Sequence, residues 1–189
     1  MTPQLPNKQY ATIYADPPWQ YGKWGAGSGK GLDMKKAQSF KPHTQNLPLP
    51  YPSMPLCEIK ALPVKKLAND NCELYLWTTQ KWLPKAFEVL DAWGFKYCQI
   101  LTWCKRPRGL GQGGLYCPTP EFLVLGRMGK MPLRRRKDTT WFETVRPNNA
   151  HSKKPDFFRN LIEEQSDAPR IELFARERVL GWDAWGNEV

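Results

Sequence analysis

Apolar positions along this chain follow two periods. Short β-rich runs end at breakers, and longer stretches space their apolar residues three to four apart, so strands and helices should alternate. Tyr10–Ala15 (YATIYA) predicts a strand that stops at Asp16-Pro17-Pro18, since proline lacks the amide donor a central strand needs. Ile59, Leu62 and Leu67 predict a helix over 59–68, followed by a buried strand over 72–77 (CELYLW) and a helix over 82–93. Two further strands are predicted over 95–104 and 122–125, separated by the glycine-rich connection 109–114. Pro155 suits the first turn of a helix ending near Gln165, where a missing amide donor costs nothing, and 170–174 predicts the last strand.

This alternation argues for an α/β sheet with helices on both faces, whose ligands gather at the carboxyl ends of the strands. Asp16 and Ala175 both lie at such ends. A chain of 189 residues suits a single domain, and no repeat, low-complexity tract or linker divides it. The segment 22–55, rich in Gly, Pro and Lys, is long for a connection and predicts a substrate loop that moves when no ligand is bound.

Charge narrows the function. Lys and Arg number 28 against 18 Asp and Glu, a formal charge of +10, which favours a polyanionic partner through phosphate contacts. The cations cluster at Lys23, Lys30, Lys35 and Lys36, at Lys105, Arg106 and Arg108, and at Arg134, Arg135, Arg136 and Lys137. Trp141 lies just beyond the third group, suited to a stacked base, while a solvated charged face is the plain alternative for each. Five cysteines without a CxxC pair and two histidines, His43 and His151, offer neither a disulfide framework nor a zinc site, so no metal is expected. No apolar run approaches a membrane span and Met1 to Lys8 carries no apolar signal core, which predicts a cytoplasmic protein that does not enter a membrane. The nucleotide signature GxGxxG is absent.

The sharpest chemistry is Asp16-Pro17-Pro18-Trp19, which sets a carboxylate, a proline carbonyl and an aromatic plane together after a strand. The lone pair of adenine's 6-amino nitrogen is delocalised into the ring, so that nitrogen attacks poorly until acceptors draw on its two hydrogens. Asp16 and the Pro17 carbonyl could be those acceptors. Trp19 or Tyr21 could stack on an extruded base, at about 1–3 kcal/mol per base. Taken alone, the tetrapeptide equally describes a proline-stiffened turn holding a buried Trp.

Several spaced motifs accompany it: ADPPW (15–19), LYLWTTQKWLPKAFEVLDAWGF (74–95), TWCK (102–105), GLG (109–111), HSKKPD (151–156), IELFAR (171–176) and GWDAWGNE (181–188). In this order they resemble the MT-A70 family, the nucleic-acid adenine amino-methyltransferases related to the catalytic subunit of the eukaryotic mRNA adenosine methyltransferase. The resemblance spans nearly the whole chain. It implies a Rossmann-like methyltransferase fold in permuted order that uses S-adenosyl-L-methionine, with Asp16, Pro17, Pro18 and Trp19 at the catalytic centre and Asp16 also beside the cofactor. By the same resemblance, Lys154 meets the cofactor's methionine carboxylate, Phe174 lines its adenine pocket, and Arg176 lies near the ribose. Asn187 and Glu188 match a terminal Asn-Gln pair, and a carboxylate there accepts from ribose hydroxyls. Each has a plainer alternative: Lys154 as a solvated lysine, Phe174 as core, and the tail as a frayed end.

On this reading the chain transfers a methyl group directly to the adenine amino nitrogen of DNA. Tyr21, Lys105 and Arg134 to Arg136 are expected on the nucleic acid, and Glu121 is a weaker candidate for supporting contacts. RNA adenosine methylation and a catalytically silent nucleic-acid-binding subunit are the alternatives. Relatives form dimers, so pairing with a second copy or a related subunit stays open.

Overall fold

Side chains alternate along the strand Ala68–Thr79, and that alternation sorts the whole molecule into two cores. Cys72, Leu74 and Leu76 point to one side, and Tyr75 and Trp77 to the other, all buried. A computed structural model describes residues 4–20, 53–106, 116, 118–131, 136–147 and 153–189. Among them, seven strands form one sheet: β1 (Tyr10–Ala15), β2 (Ala68–Thr79), β3 (Lys96–Arg106), β4 (Glu121–Met128), β5 (Trp141–Val145), β6 (Arg170–Leu173) and β7 (Asp183–Trp185). Their order is β5-β3-β4-β2-β1-β6-β7, and β4 alone runs against its neighbours.

Helices α1 (Leu56–Ala61) and α2 (Leu83–Ala92) cover the face that carries Ile13, Leu74, Leu76, Val124 and Ile171. Helix α3 (Asp156–Gln165) covers the other, packing Phe158, Leu161 and Ile162 against Tyr14, Tyr75, Trp77 and Leu123. Burying each such side chain contributes about 1.5–3 kcal/mol, so the period-two pattern fixes which face of each strand meets which helix. The α/β architecture with helices on both faces is the one observed.

Three expectations need correction. The helix expected over 59–68 is two pieces, α1 and a 3₁₀ turn at Val64–Leu67, because Pro63 pushes Leu62 into extended backbone (φ −60°, ψ 129°). Ala68 already belongs to β2. Strand β4 continues past Leu125 through Gly126, where a side chain would bring its Cβ within 3.0 Å of Leu90 and Phe95; the glycine allows α2 to lie close. The short strands β5 and β7 were not expected. The loop expected over 22–55 lies outside the described residues except for 53–55.

The carboxyl ends of β1, β2, β3 and β6 and the start of β4 lie at one rim, because only β4 is antiparallel. Among the described residues, no helix is long and apolar enough to cross a membrane.

Candidate active site

Asp16 is the first residue beyond β1, and its amide still bonds the Leu173 carbonyl of β6 (3.4 Å), so its position continues the sheet. Lys154, two residues before α3, places Nζ 2.7 Å from Asp16 Oδ2 and 3.3 Å from Glu121 Oε2. Lys105 at the end of β3 pairs with the other oxygen of Glu121. Four charges therefore alternate in a row, Asp16, Lys154, Glu121 and Lys105, with side chains between 12% and 22% exposed. Two indoles lie close by: the Lys154 ammonium is 5.4 Å from the centre of the Trp77 ring, and the Lys105 ammonium 5.0 Å from that of Trp103.

The two carboxylates are not equivalent. Burial pushes the Asp16 carboxyl above its ordinary range, opposed by Lys154. Burial acts on Glu121 in the same direction, but Lys154 and Lys105 together overcome it and hold that carboxyl below its ordinary range. Burial alone would lower Lys154, yet Asp16 and Glu121 raise it, so its ammonium stays charged. Asp16 is thus a carboxylate whose basicity burial raises, held in place by a fixed cation.

The turn after Asp16 is tight. The Trp19 amide donates to the Pro17 carbonyl (2.8 Å), and the Met54 amide donates to the Pro18 carbonyl (2.8 Å). A carbonyl has two lone pairs, so Pro17 retains acceptor capacity. Trp19 departs from the expected base-stacking role: it is only 4% exposed, stacks on Trp82 (5.5 Å, 18°) and donates from Nε1 to the Trp77 carbonyl (3.0 Å). The alternative of a proline-stiffened turn over a buried Trp describes it better, and its indole anchors the two prolines. Tyr21 lies outside the described residues.

A second group forms where β6 ends. Phe174 adopts φ 62°, an uncommon value for a residue with a side chain, and its ring meets Trp185 edge-on at 5.4 Å. The Ala175 amide bonds the Trp185 carbonyl (3.0 Å), which draws the C-terminal tail against β6. Arg176 Nε then comes within 3.8 Å of Glu188 Oε1. Gly186 permits this approach, since a Cβ there would fall 2.4 Å from the Ala175 oxygen and 2.8 Å from its nitrogen. Gly186→Ala is therefore expected to lower stability by about 1–3 kcal/mol in urea unfolding. An unchanged midpoint would show that the tail yields freely.

The structure thus brings Asp16 and Lys154 together, and separately Phe174, Arg176 and Glu188, with Asn187 exposed beside them. Tyr14, Asp16, Lys154, Phe174 and Arg176 line one cleft. Lys105 departs from the expected phosphate contact, because its ammonium is turned inward onto Glu121 and Trp103. Arg136 is exposed and borders a different hollow of about 790 Å³, with Arg127, Lys137, Trp141 and Leu161; Arg134 and Arg135 lie outside the described residues. Glu121 is far more central than a lone glutamate at a strand start suggested. Trp77 and Trp82 gave no signal beyond apolar spacing.

The MT-A70 family model matches residues 10–188. Over 99% of the chain and 81% of the relative's length, the sequence is 32% identical to a protein of Mycoplasma sp, the type II methyltransferase M.MunI. It is 28% identical to the human N(6)-adenine-specific methyltransferase METTL4, over 96% of this chain and 38% of that protein. Identity to the human N(6)-adenosine-methyltransferase catalytic subunit METTL3 is 25%, over 96% of this chain and 28% of that protein. The chain therefore spans most of the mycoplasma relative and well under half of the human ones.

Proposed function

This chain belongs to the MT-A70 family, and from that premise we propose that it methylates the 6-amino group of adenine in DNA, with S-adenosyl-L-methionine as the methyl donor. The observation that carries the reading is the Asp16 carboxylate, held by Lys154 next to the Pro17 carbonyl and in one cleft with Phe174 and Arg176. The DNA substrate follows the likeness to a type II methyltransferase, of which the chain covers 81%. The likeness to METTL3 supports a second reading, adenosine in RNA.

The cleft fits such a donor in chemistry. Phe174 offers an aromatic wall and Arg176 lines the same cleft, while Glu188, 3.8 Å from Arg176, and Asn187 beside it offer acceptors and an amide for ribose hydroxyls or a base edge. When bound, S-adenosyl-L-methionine supplies a methyl group already activated by its sulfonium. The protein's own work is at the amino nitrogen. Asp16 and the second lone pair of the Pro17 carbonyl accept from the two amino hydrogens, freeing the nitrogen lone pair from the ring. Asp16, its carboxyl raised by burial, takes up the proton as the homocysteine sulfide leaves. Lys154 keeps Asp16 at one angle, and the buried surroundings strengthen each of these contacts. Alignment of this kind accounts for much of the barrier lowering expected without a covalent intermediate.

Transfer of labelled methyl groups to single-stranded DNA, duplex DNA and RNA of mixed sequence, followed by nucleoside analysis, tests the reading. Label in 6-methyldeoxyadenosine is expected. Label only in 6-methyladenosine would move the substrate to RNA, and label in neither would leave a binding subunit without catalysis.

A further inference from the structure

Lys105 turns inward from the nucleic acid it is expected to meet, and the chemistry above gives it no task. Its place is set by the sheet. Trp103 of β3 pairs with Glu121 of β4, so Lys105, two residues further along β3, lies diagonal to Glu121 on the face that α3 covers. Trp77 shares that face and meets Trp103 edge-on at 6.1 Å. The Lys154 and Lys105 ammoniums therefore lie beside two buried indoles that touch each other, and these form a floor under the row Asp16, Lys154, Glu121 and Lys105.

The row balances only with its fourth member. Asp16 and Glu121 both bond Lys154, at 2.7 Å and 3.3 Å, so two carboxylates share one ammonium. Lys105 brings the row to two anions against two cations, and among the described residues it pairs with Glu121 alone. Without it, Glu121 would have Lys154 as its sole cation and would compete with Asp16 for it. The uncompensated negative charge would then favour protonation of one carboxylate of the pair.

We propose that Lys105 is a positioning residue for methyl transfer: it anchors Glu121, so that Lys154 stays on Asp16 and Asp16 stays ionised for the amino group. The proposal rests on Asp16 being the acceptor at the amino nitrogen. Against burial, Lys154 and Lys105 together hold the Glu121 carboxyl below its ordinary range, while burial keeps Asp16 above its own. The charged groups that face Asp16 are Lys153 and Lys154 before α3, Arg159 in α3, Glu121 at the start of β4, Glu172 in β6, and Arg176 and Glu177 beyond it, with Tyr14 beside it in β1. Lys105 reaches Asp16 through Glu121 and Lys154, and this order gives the test its sign.

The titration of Asp16 is read in two ways, by carbon-13 NMR of its carboxyl and by the acid limb of single-turnover methyl transfer. Lys105→Met should move both midpoints up by about 0.5 or more in pH, because Glu121 then competes for Lys154. Glu121→Gln removes the competitor and should move them down. Lys105→Arg keeps the charge and should hold them near the wild-type values. Since Lys105 acts through Glu121, adding Lys105→Met to Glu121→Gln should shift the midpoints by less than about 0.2 further. That double variant removes both charges of the pair at once, so it decides the matter even if Lys105→Met folds poorly. A Lys105→Met midpoint that stays or falls, a Glu121→Gln midpoint that rises, or a full further shift in the double variant would overturn the proposal. A wild-type protein that transfers no methyl group would overturn the catalytic reading instead, and the NMR midpoints would still decide whether Lys105 acts on Asp16.

Discussion

Asp16→Asn should lower the methyl-transfer rate at saturating donor and nucleic acid by about a thousandfold, with nucleic-acid affinity little changed. Asparagine keeps the size of the side chain and one acceptor oxygen, but not the charge that the proposed mechanism directs at the amino hydrogens and the proton. Lys154 would retain Glu121 as a partner, so the replacement leaves no cation stranded in the interior. The pH profile gives a second check. Because burial raises the Asp16 carboxyl, the wild-type rate should fall on acidification at a pH above the ordinary aspartate range, and the variant's residual rate should lose that limb. The two carboxylates act oppositely on stability. With its folded value raised, Asp16 contributes stability below the ordinary aspartate range that is lost as pH rises through the folded value. With its folded value lowered, Glu121 contributes stability above the ordinary glutamate range that is lost as pH falls through the folded value. A variant within tenfold of the wild-type rate would remove Asp16 from the catalytic centre.

Much of this molecule was legible in the sequence wherever burial imposes a period. Strands β1, β2, β3, β4 and β6 and helices α2 and α3 follow from alternation or from three-to-four spacing. Strand β5 spans five residues beside a basic tract and β7 only three, too short for a period to stand out. The break at Pro63 was legible in principle, since the residue before a proline avoids helix, but the apolar spacing across it was regular. In the site, Asp16 and Lys154 lie 138 positions apart and meet because one ends a strand and the other precedes the helix packed on that strand. Their motifs marked both residues, not their contact. Lys105 was read as a surface cation because a sequence does not say which way a lysine turns.

Trp77→Ala is expected to lower stability by about 3–5 kcal/mol, a large part of the 5–15 kcal/mol that usually holds a domain together. Trp77 is fully buried and meets Phe158 edge-on at 4.9 Å and Trp103 at 6.1 Å, so removing the indole opens a cavity between α3 and the sheet. It also strips Tyr14 of the indole N–H that its hydroxyl accepts at 2.6 Å, and Lys154 of the ring beside its ammonium. Trp77→Phe separates these effects. It keeps an aromatic ring near Phe158 and Lys154 and loses mainly the hydrogen bond, a change of about 1 kcal/mol together with the smaller volume. The backbone carbonyl that anchors Trp19 is present in either variant, so a loss of rate in a folded Trp77→Phe protein would come through the groups the indole touches, Tyr14, Lys154, Trp103 and Phe158. Urea unfolding followed by single-turnover transfer distinguishes the cases. A Trp77→Ala protein within about 1 kcal/mol of wild type would show that the core closes over the gap, and the indole would then be a neighbour of the catalytic centre with no share in supporting it.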